Sequence, residues 1–337
     1  MSITVVGSVA YDTVTTSYGK SIKQLGGSAI YFSIAASKFT NVYPVGVYGD
    51  DFENSHIQLL INNSINISNL KKEKGKTFFW EGIYDNTDIN SRETIVTELN
   101  VFENFEPELD DDAKKSDIIF LANIHPQLQL DVLNQCKNLN SDSFVGLDTM
   151  DLWIDNSVEL LNKVISRSNV ILIDQYEASA LVGDNNLKNA GLKILESGVD
   201  FVVIKKGEHG ALIFNKDYEM SIPGYLTNHV KDPTGAGDSF AGAFFGYLDK
   251  IGNEYNLDNI FTASVLATVL ASYTVEGFGI ETLLNLSMDN IYERYEKYLK
   301  LIVKQMILFL YSLLMAILVT FHMVLYVYGI DPVQIDS

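Results

Sequence analysis

Cysteine is almost missing from this chain: of 337 residues only Cys136 carries a thiol. No internal disulfide can form, and no cysteine-based metal site can be assembled. Arginine is scarce, confined to Arg92, Arg167 and Arg294. The 43 acidic residues outnumber the 24 basic ones and leave a formal net charge of −19, which argues against a nucleic-acid partner. The chain shows no basic region ahead of an apolar stretch at its start, so no secretory signal is expected and the catalytic part reads as cytoplasmic. Asn-x-Ser triplets such as Asn66–Ser68 then carry no glycosylation meaning. No internal repeat is detectable.

What is present is alternation. Apolar runs at Ile3–Val9, Asn41–Val47, Ile118–Ala122, Phe144–Leu147, Val170–Ile173 and Phe201–Ile204 read as buried strands. Amphipathic stretches at Ile57–Asn62, Leu128–Cys136, Val158–Ile165 and Leu187–Glu196 fall between them. This order predicts an α/β fold, a mostly parallel sheet with helices on both faces. Two stretches, Tyr11–Leu25 and Lys76–Leu99, alternate polar and apolar residues instead, the second broken by Asn86–Asn90. They read as strands of a small antiparallel sheet. Two Gly-Lys-Ser/Thr triplets, at Gly19 and Gly75, lack the glycine that a phosphate-binding P-loop needs five residues earlier, and read as turns.

The richest segment is Asp232-Pro-Thr-Gly-Ala-Gly-Asp-Ser-Phe240, followed by Ala241-Gly-Ala243. Pro233, Gly235 and Gly237 describe a tight turn, and Asp238 or Ser239 suits the cap of a helix running to about Leu248. A helix start built of small residues leaves N–H groups aimed at open space, which is an anion site. A carboxylate at its mouth makes sense if a hydroxyl must lose its proton while attacking a phosphoryl group held there. The plainer alternative is that Asp238 only caps a buried helix.

The whole run resembles the C-terminal signature of the ribokinase-like carbohydrate kinases, the PfkB family. The resemblance covers roughly residues 1–300 and implies a kinase domain there, with a lid formed from about 11–25 and 76–99. Asp12 stands where the family has a carboxylate for substrate hydroxyls, and Gly26 and Gly27 match its double-glycine turn into a helix. Tyr31 replaces an asparagine that often contacts the sugar. Asp174 and Glu177 match an Asn-x-x-Glu element that organises magnesium and phosphate, Glu177 acting through water. Gly207 and Gly210 match the turn beside the nucleotide, with Lys205 where threonine often precedes it and Thr234 on the same nucleotide side. Ala271–Gly277 resembles the segment near the adenine.

The resemblance implies transfer of the γ-phosphoryl group of ATP, with Mg2+, to a hydroxyl (usually a primary one) of a sugar or sugar derivative. Asp238 is then the general base, and the N–H groups of Gly235, Ala236 and Gly237 the anion hole. A monovalent cation near Asp232 is a further implication of the family, and a homodimer is an open expectation for the chain. Two other functions stay open. Tyr31, Phe79 and Trp80 offer rings for stacking a nucleobase, as in a nucleoside kinase, and a catalytically silent ligand-binding protein is the rival from another class.

Residues 301–337 form an apolar tail with one uncharged run, Met306–Tyr328, long enough for the ~20 residues of a membrane-spanning helix. A membrane anchor, a docked helix and a shifted reading frame are the competing readings. As an anchor it leaves the catalytic domain in the cytoplasm, because Lys297, Lys300 and Lys304 precede it.

Overall fold

The computed structural model describes residues 1–85, 89, 91–136 and 143–327; of residues 303–313, 316, 318 and 321–327 only the backbone is described. The chain divides into two compact units, Met1–Ile291 and Tyr292–Ser337.

The first unit is built on short runs of β-branched and aromatic residues that can be buried on both faces. They form β1 (Ser2–Val6), β4 (Asn41–Tyr48), β8 (Ile118–Leu121), β9 (Phe144–Asp148), β10 (Val170–Asp174) and β11 (Phe201–Lys205); the short, partly exposed β5 (Leu70–Lys72) adds the edge beside β4, and all of these run parallel. A hairpin, β12 (Ala211–Phe214) and β13 (Glu219–Ile222), extends one edge antiparallel, giving the order β13-β12-β11-β10-β9-β8-β1-β4-β5. Strand order reverses beside β1, which pairs with both β8 and β4, and open α/β sheets bind ligands beyond the strand ends at such a point. The expected strands are therefore present, each within a few residues of its expected ends.

A second sheet stands apart, in the order β3-β2-β6-β7. It comprises β2 (Ala10–Thr16), β3 (Gly19–Gly26), β6 (Phe78–Tyr84) and β7 (Arg92–Glu98). The small sheet is as expected but its direction is not: β2 and β6 run parallel, so the sheet is mixed rather than antiparallel. Both strands set out from the same side of the main sheet and so point the same way. The Asn86–Asn90 interruption lies outside the described residues except for position 89.

Small residues bring two helices together at the centre. Helix Ser28–Ala36 is buried along its whole length and packs on helix Ala236–Lys250. Gly242 leaves no room for a Cβ against the Phe32 carbonyl, and a Cβ on Gly246 would lie 3.1 Å from Ala36. Both helices therefore start side by side at the carboxyl end of β1.

The last described element is the helix Met288–Val327. Among the described residues no helix is long and apolar enough to cross a membrane. Most side chains of Met306–Tyr328 lie outside them.

Candidate active site

The first helix start is fixed by serine pairing across the end of β1. Ser8 N–H donates to Ser28 Oγ at 3.1 Å and Ser28 N–H donates to Ser8 Oγ at 3.0 Å. Gly27 has φ 95°, a conformation that glycine alone adopts without strain, and a Cβ there would overlap the Ser8 carbonyl. Its N–H donates to the carboxylate of Asp12, which presses on Gly26 where any side chain would collide. Burial, with Asp232 nearby, raises Asp12 to about 7.

The second start is the turn at residues 232–235. Asp232 is buried, and its two oxygens accept from Thr234 N–H at 2.9 Å and Gly279 N–H at 3.3 Å. Gly235 sits at φ 75°, and the helix begins at Ala236 rather than near Ser239. Asp238 thus lies inside the first turn rather than at the cap, which is Gly235, and its carboxylate accepts from its own backbone N–H. The Ala236 N–H donates to the Pro233 carbonyl at 3.2 Å. It is therefore spent within the turn, which leaves Gly235 and Gly237 as the unengaged donors of the three expected for an anion hole. Their N–H groups have no acceptor among the described residues. Asp238 is partly exposed, so a ligand hydroxyl can reach it, yet desolvation and the charge of Asp148 raise it to about 7, against the opposing pull of Lys205 and Arg92. A carboxylate that ionises near neutral pH is suited to accept a proton.

Three parallel strand ends supply the opposite wall. Asp148 ends β9, Asp174 ends β10 and Lys205 ends β11. Lys205 Nζ donates to Asp148 Oδ2 at 2.8 Å. Asp174 caps the next helix, accepting from Tyr176 and Glu177 N–H at 2.7 and 2.8 Å, while its own N–H donates to Glu177 Oε2 at 2.9 Å. This reciprocal capping box is what the Asp174…Glu177 spacing encodes. Burial and the neighbouring carboxylates of Asp174 and Asp148 push Glu177 up to about 8. Among the described residues no group of three ligating side chains could hold a metal ion.

The small sheet delivers side chains over this floor. In register, Asp12 lies opposite Trp80, Gly82 opposite Thr94, and Tyr84 opposite Arg92. Trp80, Gly82 and Tyr84 share one face of β6. The indole lies over Gly82, where a Cβ would overlap it, and its Nε1 donates to Thr94 Oγ1 at 3.3 Å. Tyr84 reaches the 232–235 turn, its Oη accepting from Thr234 Oγ1 at 3.2 Å. Tyr31 and Phe79, the other two rings considered for base stacking, belong to the core instead: Tyr31 is 1 % exposed and Phe79 packs on the same cluster.

A helix-start anion turn, a poised carboxylate and a paired lysine beneath a small sheet are the parts of a phosphotransferase site. Residues 2–282 match the model of the pfkB family carbohydrate kinases. The chain belongs to that family. It is a phosphotransferase with an alcohol group as acceptor. The nucleoside kinase of Methanocaldococcus jannaschii is 26% identical over 283 residues, covering 82% of this chain and 87% of that protein. The cytidine kinase of Thermococcus kodakarensis is 27% identical over 254 residues, covering 73% and 88%. Among solved structures, the M. jannaschii nucleoside kinase aligns with a TM-score of 0.70 at 24% identity, over 88% of this chain and 98% of that one. Thermotoga maritima ribokinase aligns with a TM-score of 0.66 at 20% identity, over 88% and 99%. These likenesses establish the ribokinase fold.

Within this pfkB kinase the Gly207–Gly210 turn follows β11 directly. It is closed by Lys206 N–H donating to the Gly210 carbonyl at 2.7 Å, with Gly210 at φ 85°. The turn therefore lies two residues beyond Lys205. Two site residues were not singled out from sequence, Asp148 and Tyr84. Asp148 is one aspartate after an expected strand, with its partner 57 residues away, and no spacing pattern marks it. Tyr84 ends an alternating strand of the small sheet like any aromatic.

Proposed function

We propose that this kinase transfers the γ-phosphoryl group of ATP to a ribosyl hydroxyl of a nucleoside, in preference to a free sugar. The observation that carries this is the register of Asp12 with Trp80: a carboxylate for hydroxyls stands beside an indole laid flat along the sheet. That pairing suits a ligand with a polyol at one end and a planar ring at the other. The nucleoside and cytidine kinases among its relatives support the same reading.

Asp12, with Gly26 and Gly27, orients the acceptor, and Asp238 takes the proton of its hydroxyl. The oxygen–phosphorus bond forms as the bond to the β-phosphate breaks and ADP leaves. The free N–H groups of Gly235 and Gly237, with Thr234 and Lys205, hold the phosphoryl oxygens. Magnesium would arrive on the phosphates, held through water by Glu177 next to Asp174, and would neutralise developing charge. The family's monovalent cation would meet an Asp232 whose oxygens already accept two N–H groups. The small sheet acts as the lid that excludes water.

We take residues 1–300 as the kinase domain, cytoplasmic, and 301–337 as an extension outside the chemistry. The membrane tether has no support among the described residues. The homodimer rests on the lid's exposed Ile22 and Ile95, and sedimentation measures it.

ATP consumption across ribonucleosides and free sugars tests the substrate. Turnover with nucleosides and not with sugars is expected. Turnover with sugars alone overturns the nucleoside reading, and ligand binding with no turnover would return the silent one.

A further inference from the structure

Lys205 and Asp148 are joined across the end of the intervening strand β10, with side chains 18% and 7% exposed. Taking such a pair out of water costs about as much as its attraction returns, so the pair is poorly explained as a stabiliser of the fold. Its geometry points elsewhere. Asp148 is immobilised at both oxygens, Oδ1 by the Thr149 N–H at 2.9 Å and Oδ2 by Lys205. Of the three donors of the ammonium, one is used, and Asp148 is its one hydrogen-bond partner among the described residues. A Cβ placed on Gly237 would lie 3.3 Å from Nζ, so the remaining donors sit at the mouth of the anion turn.

We propose that Asp148 is a positioning residue for phosphoryl transfer: it holds the Lys205 ammonium beside Gly237, where Lys205 meets the phosphate oxygens of ATP. This rests on the kinase reading above. Lysine is a compact charge on a flexible four-carbon stem, whose rotamer freedom must be restrained for it to act from one place. Two other carboxylates compete for it, since Glu177 and Asp238 both act on its charge. If the ammonium moved onto Asp238 it would neutralise the proton acceptor. Asp148 therefore both aims the cation at the phosphate and keeps it off the base. Burial opposes the charge on Lys205, yet the carboxylates of Asp148 and Glu177 outweigh it and raise the ammonium to about 12, so it stays charged through the working pH range.

Asp148→Asn tests this, because the amide keeps an oxygen for Thr149 but loses the charge that restrains Lys205. The expected result is a kcat ~10–100-fold lower and a several-fold higher KM for ATP, with KM for the acceptor nearly unchanged and a lower melting temperature, because the buried ammonium loses its partner. The same change in a Lys205→Thr background should have a much smaller effect on kcat, limited to the loss of the Asp148 charge that acts on Asp238, and none on KM for ATP, because the group it positions is gone. Wild-type kcat and KM for ATP in Asp148→Asn would overturn the proposal, as would an equal loss in both backgrounds. Calorimetric binding of ATP is measured in parallel. If the wild-type protein turns over no acceptor, the kinase reading fails by itself. The proposal is then decided by ATP affinity: weakened by Asp148→Asn only when Lys205 is present supports it, and unchanged overturns it.

Discussion

The Tyr31 ring occupies the space that a side chain on Gly235 would need. One residue closes the 232–235 turn and the other lies one turn into the neighbouring helix, so the two helix starts are fitted face to face. This gives Tyr31 a function where the family often has an amide: it is the floor of the anion turn.

Two substitutions separate the members of this contact. Gly235→Ala must overlap the ring and also leaves a non-glycine residue at φ 75°. Activity should fall by at least ~100-fold while the melting temperature drops modestly. Tyr31→Phe keeps the ring and should retain most activity, whereas Tyr31→Ala opens a core cavity worth about 3–5 kcal/mol. Thermal unfolding beside kcat checks this; full stability in Tyr31→Ala would contradict the packing role.

Asp238 supplies the sharpest test of the chemistry. Asp238→Asn retains size in the first helical turn but removes the proton acceptor. A general base contributes ~10²–10⁴-fold in rate, and kcat should fall by that factor with ATP binding intact. Because burial and Asp148 raise Asp238 to about 7, the wild-type kcat/KM should decline as pH falls through that value. Near-normal kcat in the variant would remove Asp238 from the mechanism.

Trp80 carries the substrate reading. Trp80→Ala should raise KM for a ribonucleoside by ~10-fold or more, equivalent to about 1–3 kcal/mol of stacking by analogy with aromatic–base contacts, and leave KM for ATP unchanged. Parallel losses for both ligands would mean that the indole only supports the lid.

The tail is predicted to be dispensable. A chain ending at Tyr298 should keep kcat/KM within about twofold, since every side chain assigned to the site lies before Ile291. Carbonate extraction of the full-length chain from membranes decides separately whether Met306–Tyr328 anchors it. Loss of activity in a folded, shortened chain would place the extension in the chemistry after all.

How much of this was legible depended on how local each cause is. Strands such as Val170–Asp174 and Phe201–Lys205 announce themselves, because four adjacent apolar residues need burial on both faces. The Asp174–Glu177 element was equally legible, since a capping box is written in four consecutive residues. Strand direction in the lid was not, because Asp12 and Trp80 meet only through the route of the chain across the main sheet. The use of the Ala236 N–H by Pro233 was hidden as well, because a turn's dihedrals are needed to see which donors it spends. Residues joined over long separations, Asp148 to Lys205 and Tyr84 to Thr234, were visible only in three dimensions.

Asp12 should display the cost of function in stability. Its carboxyl is buried and raised to about 7 by desolvation first, then by Asp232, whereas in the unfolded chain it titrates near ~3.9. Between those values the folded state binds the proton that the unfolded state has released, so stability falls as pH rises from ~4 to about 7 and then levels off. Asp12→Asn cannot ionise and escapes this loss. The variant should match the wild type near pH 4 and become more stable by roughly 2–4 kcal/mol at pH 8, while its KM for the acceptor rises sharply. Denaturant unfolding at both pH values, beside acceptor kinetics, measures the two effects together. A variant less stable than wild type at pH 8 would show that the Gly27 N–H bond outweighs the desolvation of the ionised group.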